Sequence, residues 1–163
     1  MAGLSGLPGL SPNTQQGNLN RVSTHLVVAS FPALSVNASF MGKSMVKVTL
    51  DSPFVQQLPT ATGIVNSPEP YVMGHMTVAL LRSQTLANLW ITQAQTQATL
   101  GTVQIFSDST VFDSLTVLNC SITDFDPGAY DGSDPVVSMT ISGTFPVNST
   151  MWGSLTGILT TLV

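Results

Sequence analysis

A chain of 163 residues with 43% hydrophobic side chains can bury a sizeable core, yet only 7% of its residues are charged, against roughly 25% in an ordinary soluble domain. Residues 1–82 hold all four cations (Arg21, Lys43, Lys47, Arg82) beside Asp51 and Glu69, while residues 83–163 hold six aspartates and no cation, so +2 and −6 give the net −4. So few cations exclude a conventional nucleic-acid binder, no apolar run approaches the roughly 20 residues that span a bilayer, and a lone Cys120 excludes an intrachain disulfide framework.

A mean hydropathy of +0.34 with so little charge implies that much of the surface is buried in an assembly, or is solvated by the neutral hydroxyls of 19 serines and 20 threonines. Residues 1–12 lack the basic, apolar and small-residue regions of a secretory signal, which fits synthesis in the cytosol. Residues 1–22 are rich in Gly, Pro, Ser, Asn and Gln and read as an N-terminal arm with scattered Leu4, Leu7, Leu10 and Leu19, leaving residues 23–163 as a single β domain.

Strand patterns are expected at residues 24–29, 34–40 and 44–50, the last alternating Val46, Val48 and Leu50 with Met45, Lys47 and Thr49. Residues 51–71 carry Pro53, Pro59, Pro68 and Pro70 with little periodicity, and read as a long inter-strand loop. A strand follows at residues 72–81, with Val72, Gly74, Met76, Val78 and Leu80 on one face and Met73, His75, Thr77 and Ala79 on the other. One helix is expected from an N-cap at Ser83 to about Gln97, packing Leu86, Leu89, Trp90 and Ala94 on a sheet.

After Gly101, residues 102–106 and 110–123 return to strand composition, residues 124–135 form a turn-rich connection, and a final strand alternates Val137, Met139, Ile141 and Phe145 with Ser138, Thr140, Ser142 and Thr144.

No constellation for catalysis emerges. Gly42-Lys43-Ser44 imitates the end of a phosphate-binding loop, but Asn37 stands where the first glycine belongs and no helix opens there. Asp124, Asp126, Gly128, Asp131 and Asp134 resemble a cation loop, yet Gly128 and Pro135 occupy ligand positions, so turns explain the cluster better than a metal. His25 and His75 fall in strands without metal-ligand spacing, Cys120 reads as a small buried hydrophobe, and the sequons at Asn37, Asn119 and Asn148 are expected by chance. The chain is therefore read as no enzyme, with no cofactor and no metal.

The phrases Met41-Gly42-Lys43-Ser44-Met45, Thr60-Ala61-Thr62-Gly63-Ile64-Val65-Asn66-Ser67-Pro68-Glu69-Pro70-Tyr71-Val72 and Leu80-Leu81-Arg82-Ser83-Gln84-Thr85-Leu86-Ala87, with residues 117–145, resemble the inner tail-tube proteins of contractile-tailed bacteriophages over residues 22–147. The resemblance implies a mainly β, tail-tube-like sandwich or barrel with one flanking helix. It implies hexameric rings that stack into a hollow DNA conduit inside a contractile sheath. The partners would be further copies of the chain, the sheath protein, a baseplate or tube initiator and a tail terminator. The tape measure protein and DNA would pass through the lumen without specific binding, and no membrane is involved. The location would be the phage tail of the virion, assembled in the host cytoplasm.

By the same resemblance residues 51–71 are the ring-stacking element, with Pro53, Phe54, Pro59, Thr62, Ile64, Pro68, Glu69 and Tyr71 as contact candidates. A lumen that lets DNA slide needs a neutral or acidic wall. Ser138, Thr140, Ser142 and Thr144 are the expected lumen row, with Asp113, Asp131 and Asp134 adding negative potential. Lys43 and Lys47 either pair with aspartates of a neighbouring copy or mark an external face. A related reading is the tube of a tail-like bacteriocin or injection device. The alternative from another class is a β-sandwich binding or decoration module, an adhesin or capsid-associated protein. Such a module would present an exposed aromatic site, for which only Trp90 and Trp152 are available as tryptophans.

Overall fold

The computed structural model describes residues 23–108 and 114–147. The arm of residues 1–22, Asp113, Asn148 and Trp152 lie outside the described residues.

Eight strands and one helix follow in chain order: β1 (Thr24–Val28), β2 (Met41–Leu50), β3 (Val55–Pro59), β4 (Ile64–Pro68), β5 (Tyr71–Leu81), α1 (Thr85–Thr96), β6 (Thr99–Ser107), β7 (Ser114–Asp126) and β8 (Val136–Pro146). Six of them make one antiparallel sheet in the order β1-β6-β7-β8-β5-β2, while β3 and β4 pair only with each other. The mainly β class with a single helix is as expected, and the sheet curls strongly into half a barrel. The curl has local causes. Register shifts interrupt β2–β5 between Met41 and Val46, β6–β7 on both sides of Gly101, and β7–β8 at two places, and an extra residue in one strand bends it and increases its twist. Met45, Gly101 and Asn119 take positive φ at these shifts.

The period-2 patterns decide which sheet face is dry. In β8, Val137, Met139, Ile141 and Phe145 are buried and Ser138, Thr140, Ser142 and Thr144 are half-exposed, as the alternation predicted. In β5, Val72, Met76, Val78 and Leu80 join them, with Leu26 and Val28 of β1, Leu100, Val103 and Ile105 of β6, and Val117, Cys120 and Ile122 of β7. Gly74 and Gly143 face each other across β5 and β8. A Cβ at Gly143 would lie 2.6 Å from Val117 and 2.9 Å from the Leu118 carbonyl, so this bare pair lets the curled sheet close on its own core.

Helix α1 covers this dry face, and here two expectations are corrected. The N-cap position is Gln84, without a side-chain cap bond, and Ser83 lies one residue before it. The buried stripe is Leu86, Ala87 and Trp90, with Ala94 packed against the same core as expected, whereas Leu89 is 49% exposed. Four residues advance a helix by about 400°, so Leu86 and Trp90 share a line, and the sheet takes Ala87 beside them because a small side chain permits close approach. Trp90 is fully buried and its indole N–H donates to the Leu34 carbonyl at 3.1 Å.

The expected strand at residues 34–40 does not form. Two 3-10 turns, Pro32–Leu34 and Ala38–Phe40, occupy it, the first opened by the φ that Pro32 fixes and the second by the Asn37 side chain accepting from the Ser39 N–H at 3.1 Å. Strand β2 accordingly begins at Met41 rather than residue 44, and β7 runs to Asp126 instead of ending at residue 123. The expected loop at residues 51–71 is a β-hairpin, whose bounding prolines Pro59 and Pro68 sit at strand ends where no inner ladder bond is required of them.

Candidate functional site

Two surfaces stand out as candidates, both made by strands: the hairpin β3–β4 and the sheet face opposite α1.

In the hairpin, Val55 pairs with Pro68, Gln57 with Asn66 and Pro59 with Ile64, around a turn at residues 60–63. The Thr60 hydroxyl closes that turn, donating to the Gly63 carbonyl at 3.0 Å and accepting from the Gly63 N–H at 3.1 Å. Every residue of β3 is exposed. The hairpin nevertheless carries large apolar side chains, with Leu58 47%, Ile64 66% and Val65 53% exposed. Phe54, Tyr71 and Met73 extend this apolar surface to its root. There the Asp51 carboxylate lies 3.0 Å from the His75 Nδ1, and the Asp51 N–H donates to the Met73 carbonyl at 2.9 Å. Of the stacking candidates, Pro53, Phe54, Pro59, Thr62, Ile64 and Tyr71 are exposed, and Pro68 and Glu69 are half-buried.

On the second surface, register places the β8 hydroxyl row in the middle of a wider polar array. Across the sheet Thr49 meets His75, His75 meets Ser142, and Ser142 meets Ser121. One step along, Lys47 meets Thr77, Thr77 meets Thr140, and Thr140 meets Asp124. Thr123, at a register shift, sends its hydroxyl to the Thr140 carbonyl at 3.3 Å and lies 3.1 Å from the Ser142 hydroxyl. Lys47 therefore shares the hydroxyl face, while Lys43 is exposed in the irregular first part of β2.

Asp131 and Asp134 are not in the array but in the β7–β8 connection. The Asp131 carboxylate accepts from the Ser133 N–H at 2.9 Å and hydroxyl at 2.6 Å, and Asp134 accepts from the Val136 N–H at 3.1 Å. The Ser133 hydroxyl, then its N–H and more distantly Arg82, hold the Asp131 carboxyl below the usual carboxylate range. The acids that register brings beside the hydroxyls are Asp124, opposite Thr140, and Asp126, opposite Ser138. Sequence reasoning placed both in a turn. The signal for them was the alternation of Ile122 and Phe125 with acids, obscured by the one-residue shift between Ile122 and Asp124. Among the described residues no group of three or more His, Cys, Asp or Glu side chains lies close enough to hold a metal ion.

No protein-family model matches the chain, and no curated protein matches it. Among solved structures it is similar to a chain of the anti-feeding prophage baseplate, determined by cryo-electron microscopy with 6-fold symmetry, at a TM-score of 0.41 and 13% identity over 83% of this chain and 99% of that one.

Proposed function

We propose that the chain is a structural subunit of a phage tail inner tube, forming hexameric rings that stack into the DNA conduit inside a contractile sheath. The observation that carries the reading is the hairpin: an ordered element exposing Leu58, Ile64 and Val65 to water needs a second surface to cover it. Its root on adjacent strands β2 and β5 supports its assignment to ring stacking, and the arm of residues 1–22 is proposed as a second, weaker contact.

The two edges of the sheet support lateral closure. At β1, the Leu26 N–H and carbonyl already bond to Val36 at 2.7 and 2.8 Å, so that edge is partly sealed. At β2, the bond from Asp51 to Met73 sets the phase of the ladder, so Lys47 and Thr49 bond inward to β5 and the backbone groups of Val46, Val48 and Leu50 point away from it. No strand among the described residues pairs with that outer edge. An open edge of this kind is a template for a neighbouring copy, and ring closure removes it.

The hydroxyl face, with Ser138, Thr140, Ser142 and Thr144 at its centre, is assigned to the lumen. Asp124 and Asp126 supply its negative potential, and Lys47 is a single cation among them. Hydroxyls exchange hydrogen bonds with water and leave phosphate no fixed charge to hold. The sheath protein, baseplate initiator and tail terminator would then meet the outer surface and the two tube ends, in the tail of a virion assembled in the bacterial cytoplasm.

Electron microscopy of the purified protein over a range of concentrations tests this. Rings or hollow rods with sixfold symmetry are expected, and dispersed monomers at every concentration overturn the reading in favour of a binding or decoration module.

A further inference from the structure

The β7–β8 connection, residues 127–135, is built from turn formers and acids and contributes no buried hydrophobic residue to the core. Its order therefore needs another source. Arg82 leaves the end of β5, and its own N–H donates to the Pro135 carbonyl at 2.9 Å. Its guanidinium reaches under the connection, donating through one Nη to the Ala129 carbonyl at 2.6 Å and through the other to the Pro127 carbonyl. The Tyr130 ring covers the same group at 5.4 Å from the guanidinium carbon, yet that residue is 87% exposed. Gly128 lies against the guanidinium with φ +67, and a Cβ there would lie 2.9 Å from an Arg82 Nη and 2.5 Å from an Asp134 carboxylate oxygen. The Arg82 Nε is buried without a partner.

These contacts are unusual for a cation with Asp131 and Asp134 nearby. Arg82 spends its donors on backbone carbonyls, and the carboxylates turn to the N–H groups of Ser133 and Val136 instead. A forked donor can hold two carbonyls of a curving backbone at once, which a single ammonium on a flexible stem cannot.

We infer that Arg82 is a guanidinium lock that sets the conformation of the β7–β8 connection, and with it the outward presentation of Tyr130, in the free subunit before any partner arrives. The lock is independent of the tube reading. Its consequence for any assembly is that this end of the sheet has already lost its conformational freedom on folding, so docking there costs less entropy.

Hydrogen–deuterium exchange of the full chain, at a concentration where sedimentation shows it unassembled, tests the inference through the amides of Gly128, Ser133 and Val136. In the wild type these are expected to be protected, and in Arg82→Gln to exchange about tenfold faster or more while the amides of β5 and of β8 beyond Val136 keep their rates. Arg82→Lys, which keeps the charge and loses the fork, is expected to behave like Arg82→Gln. Raising salt from about 0.05 to about 1 M is expected to leave the wild-type protection unchanged, because neutral carbonyls and not carboxylates hold the group. Full protection in Arg82→Lys, strong loss of protection in salt, or protection that arises only in assembled material would each overturn it. Should Arg82→Gln fail to fold, Arg82→Lys alone decides the matter through the same amides.

Discussion

Cys120 and Trp90 show how single side chains respond to the curl of this sheet. Cys120 is fully buried beneath the β7 shift, its thiol 3.4 Å from the Val117 carbonyl. Burial, opposed in part by a backbone bond with Val103, pushes its pKa up from 9.0 to about 11. The thiol is thus neutral and inert at pH 7, and Ellman's reagent is expected to label it only on unfolding. The unfolded chain releases this proton near pH 9.0 and the native chain near 11. The associated stability is present below pH 9.0 and is lost as the pH rises through about 11, a slope that Cys120→Ala removes in denaturant titrations. Trp90 fills the space between α1 and the sheet and satisfies the Leu34 carbonyl. Trp90→Ala is expected to cost about 3–5 kcal/mol in chemical denaturation. Leu89→Asp, one residue earlier and pointing to solvent, should cost less than about 1 kcal/mol. A helical wheel cannot rank these two residues, because it locates an apolar stripe without saying which of its margins meets the sheet.

Among the elements, β8 and β5 were the most legible. Their alternations named both faces, since a period of 2 is enforced at each residue by the pleat, and only Ala79 in β5 is buried on the face opposite the core. The hairpin was illegible for the opposite reason. It is exposed on both sides, so no buried face imposed an alternation, and its prolines resembled loop punctuation. The 3-10 turns at residues 32–40 were hidden in apolar composition that a strand would share. Two element-scale outcomes follow from packing. Gly143→Ala is expected to destabilise the chain by about 1–3 kcal/mol, because the Leu118 carbonyl cannot move aside as a side chain would, and thermal unfolding reads this directly. Deletion of residues 60–67 should leave the melting temperature of the sheet almost unchanged, since among the described residues β3 and β4 pair with no other strand.

For the molecule as a whole the same deletion separates folding from assembly: on the tube reading it yields rings that do not stack, and normal rods would remove the stacking role. Val48→Pro places a residue without N–H on the outer edge of β2, where the inward ladder does not use that group. It is expected to keep the sheet, at a modest loss of stability from the Val48 side chain that packs against the core, and to fail at ring closure by sedimentation. Thr140→Asp on the hydroxyl face is expected to leave both folding and rod formation intact, and a variant that cannot fold would contradict the assignment of that face to solvent.

From the sequence alone came the mainly β class, the single helix, the scarcity of charge and the two faces of the long strands, all of which depend on composition or on periodicities that neighbouring residues enforce. The tertiary structure alone decided the half-barrel, because the register shifts at Met45, Gly101 and Asn119 are set by how each strand pairs with its partner and not by the strand's own pattern. It also brought Asp124 and Asp126 beside the hydroxyls and set Lys47 on the hydroxyl face. The Arg82 lock belongs here as well, since it joins the end of β5 to carbonyls some 45 residues away, a contact with no signature in spacing or composition.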